Sequence, residues 1–548
     1  MHTPPHRPSR PARPLSALVT VAALALAASA CGGTASSGKN SADQGPGKPG
    51  GTYTVALTEP NHLTPGQTTD SYAIQVIQGL FDTPVTLDPN DGHVLPLAAA
   101  SVESADQRVW TVKLRPDGVF HNGEKVTAQS FADAWNAAAY GPNGWESNYY
   151  FAQIEGYPDL NPDEGQQPKG DKLSGLKVVD DTTLQVTLSA PFSQFPMMLA
   201  FTAFAPLPKA AFTDTKAFDA HPVGNGPFQM DGDWVHDQKI ALKKSASYAG
   251  TRKAMADGVT FKIFTSKDTA FTELQAGNVD IMTTVPAARA PEAKRTFGDR
   301  YSVRPSGTMD YLGLPLWDKR FQNPELRRAL SMAIDRPGIT QAIYNDVFKP
   351  ADSVVAPMIP GHRDGACGEA CAYAPAKAKA LFDRAGGFSG PLELYFSNSD
   401  PTYEQWMTAV ANQLKQNLGI QEVTFKKMAS ADLGPILNKR KGTGPYRQNW
   451  VIDYPSMQNY LDGLYNPDNR MGWSNKEFDA LIAEGNAATS AKDGLAAYQK
   501  AEDLALKEMP LVPLWNWQDQ SAWSDKVGHV LIDPYITGLH LDEVTVKQ

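Results

Sequence analysis

The sequence predicts an α/β protein folded as two or more lobes, and three observations carry that prediction. At 548 residues the chain exceeds what one hydrophobic core supports. In its second half, segments with a helical apolar stripe alternate with short alternating runs such as Leu392-Glu393-Leu394-Tyr395-Phe396, the pattern of a sheet covered by helices on both faces. Charged residues make up 20% and hydrophobic residues 42%, the balance of an ordinary globular body. The formal net charge is −9. No basic stripe runs along the chain, so nucleic acid is not an expected partner.

The N-terminus reads as a targeting segment. His2, Arg7, Arg10 and Arg13 precede an uncharged apolar stretch from Leu15 to Ala30, too short for a comfortable membrane span and suited to a signal peptide. It ends in Ala28-Ser29-Ala30-Cys31-Gly32-Gly33, which resembles a bacterial lipobox whose cysteine would take diacylglycerol and become the mature N-terminus. Ala28 departs from the leucine more usual there, and ordinary cleavage with Cys31 an incidental thiol is the other reading. Residues 31–50 are rich in Gly, Ser, Lys and Pro and cannot bury a core, so they are expected to be a flexible tether spanning roughly 25 Å.

The folded body begins at the alternating strand Thr52 to Leu57. A loop follows, then an apolar segment through Ile74, Ile77 and Leu80. Val109 to Arg115 is a second alternating strand, closed by the turn Pro116-Asp117-Gly118. Thr127 suits the N-cap of a helix with Phe131, Ala134 and Trp135 on one face. Leu184 to Leu188 alternates again. Pro222-Val223-Gly224-Asn225-Gly226-Pro227-Phe228 lacks the lysine and strand-to-helix setting of a phosphate loop and reads as a structural turn.

Helix signals dominate the second half. Asn323-Pro324 caps a stripe of Leu326, Leu330, Ala333 and Ile334. Pro375 opens a helix that Gly386-Gly387 closes. Trp406, Val410, Leu414 and Leu418 repeat at spacing four before Gly419. Ser474-Asn475-Lys476-Glu477 reads as a capping box.

One stretch in this half carries chemistry. Asn449-Trp450-Val451-Ile452-Asp453-Tyr454-Pro455 reads as a short extended run stopped by a turn at Pro455. A carboxylate inside such a run is costly to bury unless a cation or several donors meet it. Asp453 is therefore either a cap paired within the protein or a group that awaits a ligand cation. No H-E-x-x-H, G-x-S-x-G or lysine-bearing phosphate loop occurs, so no enzyme activity, cofactor or metal is expected.

Seven stretches, in one order, resemble the extracytoplasmic substrate-binding proteins of peptide ABC importers, solute-binding family 5. They are Trp110 to Ala128 (WTVKLRPDGVFHNGEKVTA), Pro222 to Phe228, Leu274 to Ile281 (LQAGNVDI), Pro324 to Arg336 (PELRRALSMAIDR), Tyr373 to Gly386 (YAPAKAKALFDRAG), Trp450 to Pro455 and Glu508 to Leu514 (EMPLVPL). Gln129-Ser130, Leu314-Pro315 and Ser456-Met457 depart from the family pattern. The resemblance implies a two-lobe periplasmic-binding-protein-like fold of class II type with a ligand cleft between lobes. The first lobe would span residues 51–285, with an extra subdomain near 92–200. The second would span 286–511, and residues 512–548 would return to the first.

The resemblance also implies site roles. Asp453 would take the α-ammonium of a peptide, and Asn449, Trp450 and Val451 would offer main-chain groups to it by strand addition. Arg447 would help hold the far carboxylate, or be a solvated loop arginine. Thr69, Asp70 and Tyr72 would face them from the other lobe. Trp145, Tyr149 and Tyr150 would line side-chain pockets or simply pack as core. On the outer face of a membrane Cys367 and Cys371 would form a small disulfide; a metal site would need further ligands, with His362 the local candidate. The implied function is that of a monomeric lipoprotein, anchored outside the cell through Cys31, which hands short peptides to an ABC permease. A non-peptide ligand such as an oligosaccharide or metal chelate, a signalling peptide, and an extracytoplasmic hydrolase are the alternatives.

Overall fold

A computed structural model describes residues 49–162, 165–535 and 538–547. The expected signal peptide, lipobox and Cys31 lie outside the described residues. So does the tether up to residue 48. Its last residue is already docked, for the Gly50 N–H donates to the Met255 carbonyl at 2.8 Å. No helix of the described residues is long and apolar enough to cross a membrane.

The first half is built on β1 (Thr52–Leu57), whose buried alternate residues the sequence pattern anticipates. A hairpin of β2 (Val85–Leu87) and β3 (Val94–Pro96) follows the helix Ser71–Leu80. Four strands then form their own sheet in the order β4-β5-β7-β6: β4 (Ala99–Ser104), β5 (Val109–Leu114), β6 (Leu176–Asp180) and β7 (Thr183–Thr187). Helix Ala128–Ala139 packs on it, capped as expected by Thr127, with Phe131, Ala134 and Trp135 buried. Ser130, one of the family departures, completes the capping box by bonding back to the Thr127 N–H at 3.1 Å.

One sheet of eleven strands runs through the rest. Its first-half members are β8 (Phe228–Met230), β9 (Lys239–Lys244), β10 (Gly258–Ile263), β1 and β11 (Ile281–Met282). Its second-half members are β12 (Tyr301–Gly313), β13 (Lys349–Pro350), β14 (Leu392–Ser397), β15 (Val423–Met428), β16 (Tyr446–Val451) and β17 (Leu511–Trp523). The order is β15-β14-β16-β12-β17-β11-β1-β10-β9-β8, with β13 on β17.

Strands β12 and β17 are 13 residues long and cross from one half to the other. Tyr301 to Pro305 pair with residues 518–522 beside the first core, and Met309 to Gly313 pair with residues 511–516 inside the second. The register breaks between Pro305 and Met309. Two large apolar clusters result, one from residues 53–281 plus Tyr454 and the C-terminal return, the other from residues 290–515. The fold is thus the two-lobe α/β arrangement expected.

Local expectations are met with one shift. Asn323, Gly419 and Pro375 cap or open their helices. The cap at 474–477 is a correction: Asn475, not Ser474, accepts from the N–H groups of Glu477 and Phe478. An asparagine directly before the first helical residue takes over the role assigned to serine. The Gly-rich run at 222–228 is a structural turn. A side-chain carbon on Gly224 would sit 1.8 Å from the Leu80 carbonyl oxygen, so only glycine lets the two segments meet.

Candidate functional site

Strand β16 presents the site. It pairs with β12 along its length, Asn449 opposite Asp310 and Val451 opposite Thr308, while β14 meets it only at Tyr446. From Arg447 to Val451 its other edge therefore has no strand neighbour among the described residues. Gln448, Asn449 and Trp450 are partly exposed and Val451 is 48% exposed. An open edge of this kind can accept an extended chain by main-chain hydrogen bonds.

Asp453 follows two residues after the strand. Its Oδ1 accepts from Tyr150 Oη at 2.6 Å and from Tyr149 Oη at 3.4 Å, and its Oδ2 accepts from Asn459 Nδ2 at 3.0 Å. Tyr149 and Tyr150 belong to the turn Glu146–Phe151 of the first lobe, so these bonds cross between lobes. The donors are all neutral, and no cation acts on the carboxylate among the described residues. Burial pushes the Asp453 carboxyl above its ordinary range, and the hydrogen bonds from Asn459, Tyr150 and Tyr149 oppose that rise. Tyr149, Tyr150 and Phe201 form a stack, with ring centroids 4.3 and 4.2 Å apart.

Other contacts close the lobes. Ser193 donates its N–H to Asn486 O at 2.8 Å and its hydroxyl to Gly485 O at 3.3 Å, capping the end of the helix Lys476–Ala487 from across the gap. Phe192 meets Tyr454 edge to face at 6.3 Å. The cavity that Asp453 lines, with Ile74, Gln78, Phe201, Ile452 and Tyr535, holds only about 20 Å³. A small-molecule site needs hundreds, so the lobes must part to admit a ligand. A roomier cavity, about 610 Å³, lies elsewhere on the second lobe, between Glu325, Lys377 and Lys507, and shares no residue with this site.

Arg447 is not a solvated loop arginine. It is buried on β16, donates to Asp310 Oδ1 at 2.7 Å and lies 3.6 Å over the Tyr403 ring. Asp310 also accepts from the indoles of Trp515 at 2.9 Å and Trp517 at 2.7 Å. Burial disfavours the Arg447 cation, but Asp310 outweighs that and keeps it firmly protonated. The guanidinium thus already has a carboxylate of its own, and its buried Nε meets no acceptor among the described residues.

The remaining expected residues are spread out. Asp70 caps the helix Ser71–Leu80 through the Tyr72 N–H at 3.0 Å, and the Thr69 N–H donates to Glu146. That helix reaches the Asp453 cavity through Ile74 and Gln78, further along than Thr69, Asp70 or Tyr72. The Tyr72 ring lies under Lys267. Trp145 packs against Gly66 in the first core. Cys367 and Cys371 are joined as a disulfide. Sequence reasoning overlooked Asn459 and Asp310. For Asp310 the available signal was an acid inside an apolar strand, against propensity; Asn459, in the first turn of the helix Met457–Tyr465, carried none.

The profile of the bacterial extracellular solute-binding proteins, family 5 Middle, matches residues 93–472. The chain is 28% identical to the probable deoxycholate-binding periplasmic protein YgiS of Escherichia coli over 84% of this chain and 86% of that protein. It is 27% identical to the E. coli periplasmic oligopeptide-binding protein OppA over 82% of each. Among solved structures, Helicobacter pylori DppA in complex with the peptide STSA superposes with a TM-score of 0.72 at 22% identity, covering 91% of this chain and 99% of that one.

Proposed function

Because the chain belongs to family 5 of the bacterial extracellular solute-binding proteins, a family of binding proteins rather than enzymes, we propose that it captures short peptides between its lobes and delivers them to an ABC permease. It works outside the cell, held to the outer face of the membrane by a lipid on Cys31. The observation that carries the peptide reading is Asp453, a carboxylate at the end of an open strand edge, met by three neutral donors and no cation. A peptide supplies both missing parts: a backbone for the edge of β16 and an α-ammonium for the acid. A bile acid such as deoxycholate would bring a second carboxylate toward Asp453, and an oligosaccharide would leave its charge unpaired.

The test is calorimetry with alanine peptides of two to five residues, free and N-acetylated, on wild type and Asp453→Ala. Stranding one member of a buried ion pair costs about 3–5 kcal/mol, and because Asp453 is partly exposed the expected loss is about 3 kcal/mol. Acetylation should weaken wild type by about two decades and the alanine variant little. Equal binding of free and acetylated peptides to wild type would refute the amine assignment.

A further inference from the structure

We propose that Asn459 is a positioning residue that sets the Asp453 carboxylate for a ligand cation; the proposal rests on the peptide-amine reading above. Asn459 lies in the first turn of the helix Met457–Tyr465 and is 5% exposed. Its Oδ1 accepts two hydrogen bonds, from Trp450 Nε1 and from the Asp453 main-chain N–H, each at 3.1 Å. Two donors on one side fix which end of the amide is oxygen, since a flip would set N–H against N–H twice. The Nδ2 must then face the carboxylate, and it donates to Asp453 Oδ2 at 3.0 Å.

One side chain thereby joins three parts of the site. Through Trp450 it holds the strand edge, through the main chain it holds the backbone of Asp453, and through Nδ2 it engages one carboxylate oxygen. The other oxygen is left turned toward Tyr149 and Tyr150 of the first lobe. A site of this precision needs its reacting group locked by a second layer of hydrogen bonds. As the third residue of this helix, Asn459 sits close enough to the preceding loop to reach both Trp450 and the Asp453 main chain. The network accounts for its presence there.

Two measurements test this on the full chain. The first titrates the Asp453 carboxyl by ¹³C NMR without ligand, assigned against Asp453→Asn. Removing a donor to the charged form should raise its midpoint in Asn459→Ala. The second is calorimetry with the same free and N-acetylated alanine peptides. Loss of a hydrogen bond to a charged group should weaken the free peptides by about 10- to 100-fold and the acetylated ones by less than about threefold. Asn459→Leu, which fills the same volume, serves where the alanine variant does not fold. An unmoved Asp453 midpoint, or discrimination between free and acetylated peptides kept at the wild-type value, would overturn the proposal. If wild type itself fails to discriminate, the amine reading falls and the proposal with it, whereas an intact wild-type preference beside an unmoved midpoint sinks Asn459 alone.

Discussion

Removing the Asp310 carboxylate should be among the most damaging single changes this fold can suffer. Asp310 is fully buried, and its partner Arg447 is 7% exposed at the side chain. Breaking one side of such a pair costs about 3–5 kcal/mol, because the remaining charge is stranded in a medium that cannot solvate it. The buried Trp515 indole also loses its acceptor, which adds about 1–3 kcal/mol. Trp517 is partly exposed and can turn its N–H to water. Asp310→Ala should therefore lose about 5 kcal/mol, near the upper limit for single substitutions. Arg447→Met beside it removes the stranded cation, so the double variant should recover about 2–3 kcal/mol. Urea unfolding followed by tryptophan fluorescence reads the difference, with Trp515 and Trp517 as local reporters. If the double variant loses the sum of the two single losses, Asp310 and Arg447 do not depend on each other and the ion-pair account fails.

Two further outcomes are expected. Burial pushes the Asp519 carboxyl up to about 6, with the Ser306 hydroxyl opposing, while its unfolded value is about 3.9. The folded protein then keeps a proton that the unfolded chain has released, so stability from this group falls as pH rises from about 4 to 6 and is flat above, by at most about 2 kcal/mol. Asp519→Asn should flatten that fall in melting curves taken at pH 5 and 7.5, and an unchanged difference would show that Asp519 titrates normally. Cys31→Ser should release the protein from the membrane fraction or leave its leader uncleaved; wild-type fractionation and migration would refute the lipid anchor.

Elements that depend on local physics were legible in the sequence. Thr127, Asn323, Pro375 and Gly419 mark helix ends because a cap or a left-handed turn admits few residue types. The run from Asn449 to Pro455 announced both a strand and an out-of-place acid. What the sequence could not show was who meets whom across hundreds of residues. Asp310 lies 137 positions before Arg447, and Tyr150 lies 303 before Asp453. Nothing in local spacing marks such encounters. Arg447 illustrates the gap, since the same residue in the same strand reads as a ligand's clamp or a loop charge until its carboxylate neighbour is seen.

The return of the last residues to the first lobe has a consequence for the order in which the chain can fold. Strand β11 of that lobe bonds β17 at Trp523, and the Tyr53 hydroxyl, near the start of the body, donates to the Leu541 carbonyl near its end. Val527, Ile532, Leu539 and Val544 complete the first core. A ribosome releases these residues after the second lobe, whose cluster needs nothing beyond Trp517. The lobe made first must therefore wait for the lobe made second before its own core can be completed. A chain that cannot complete its leading half early remains threadable through a narrow channel until that return is made.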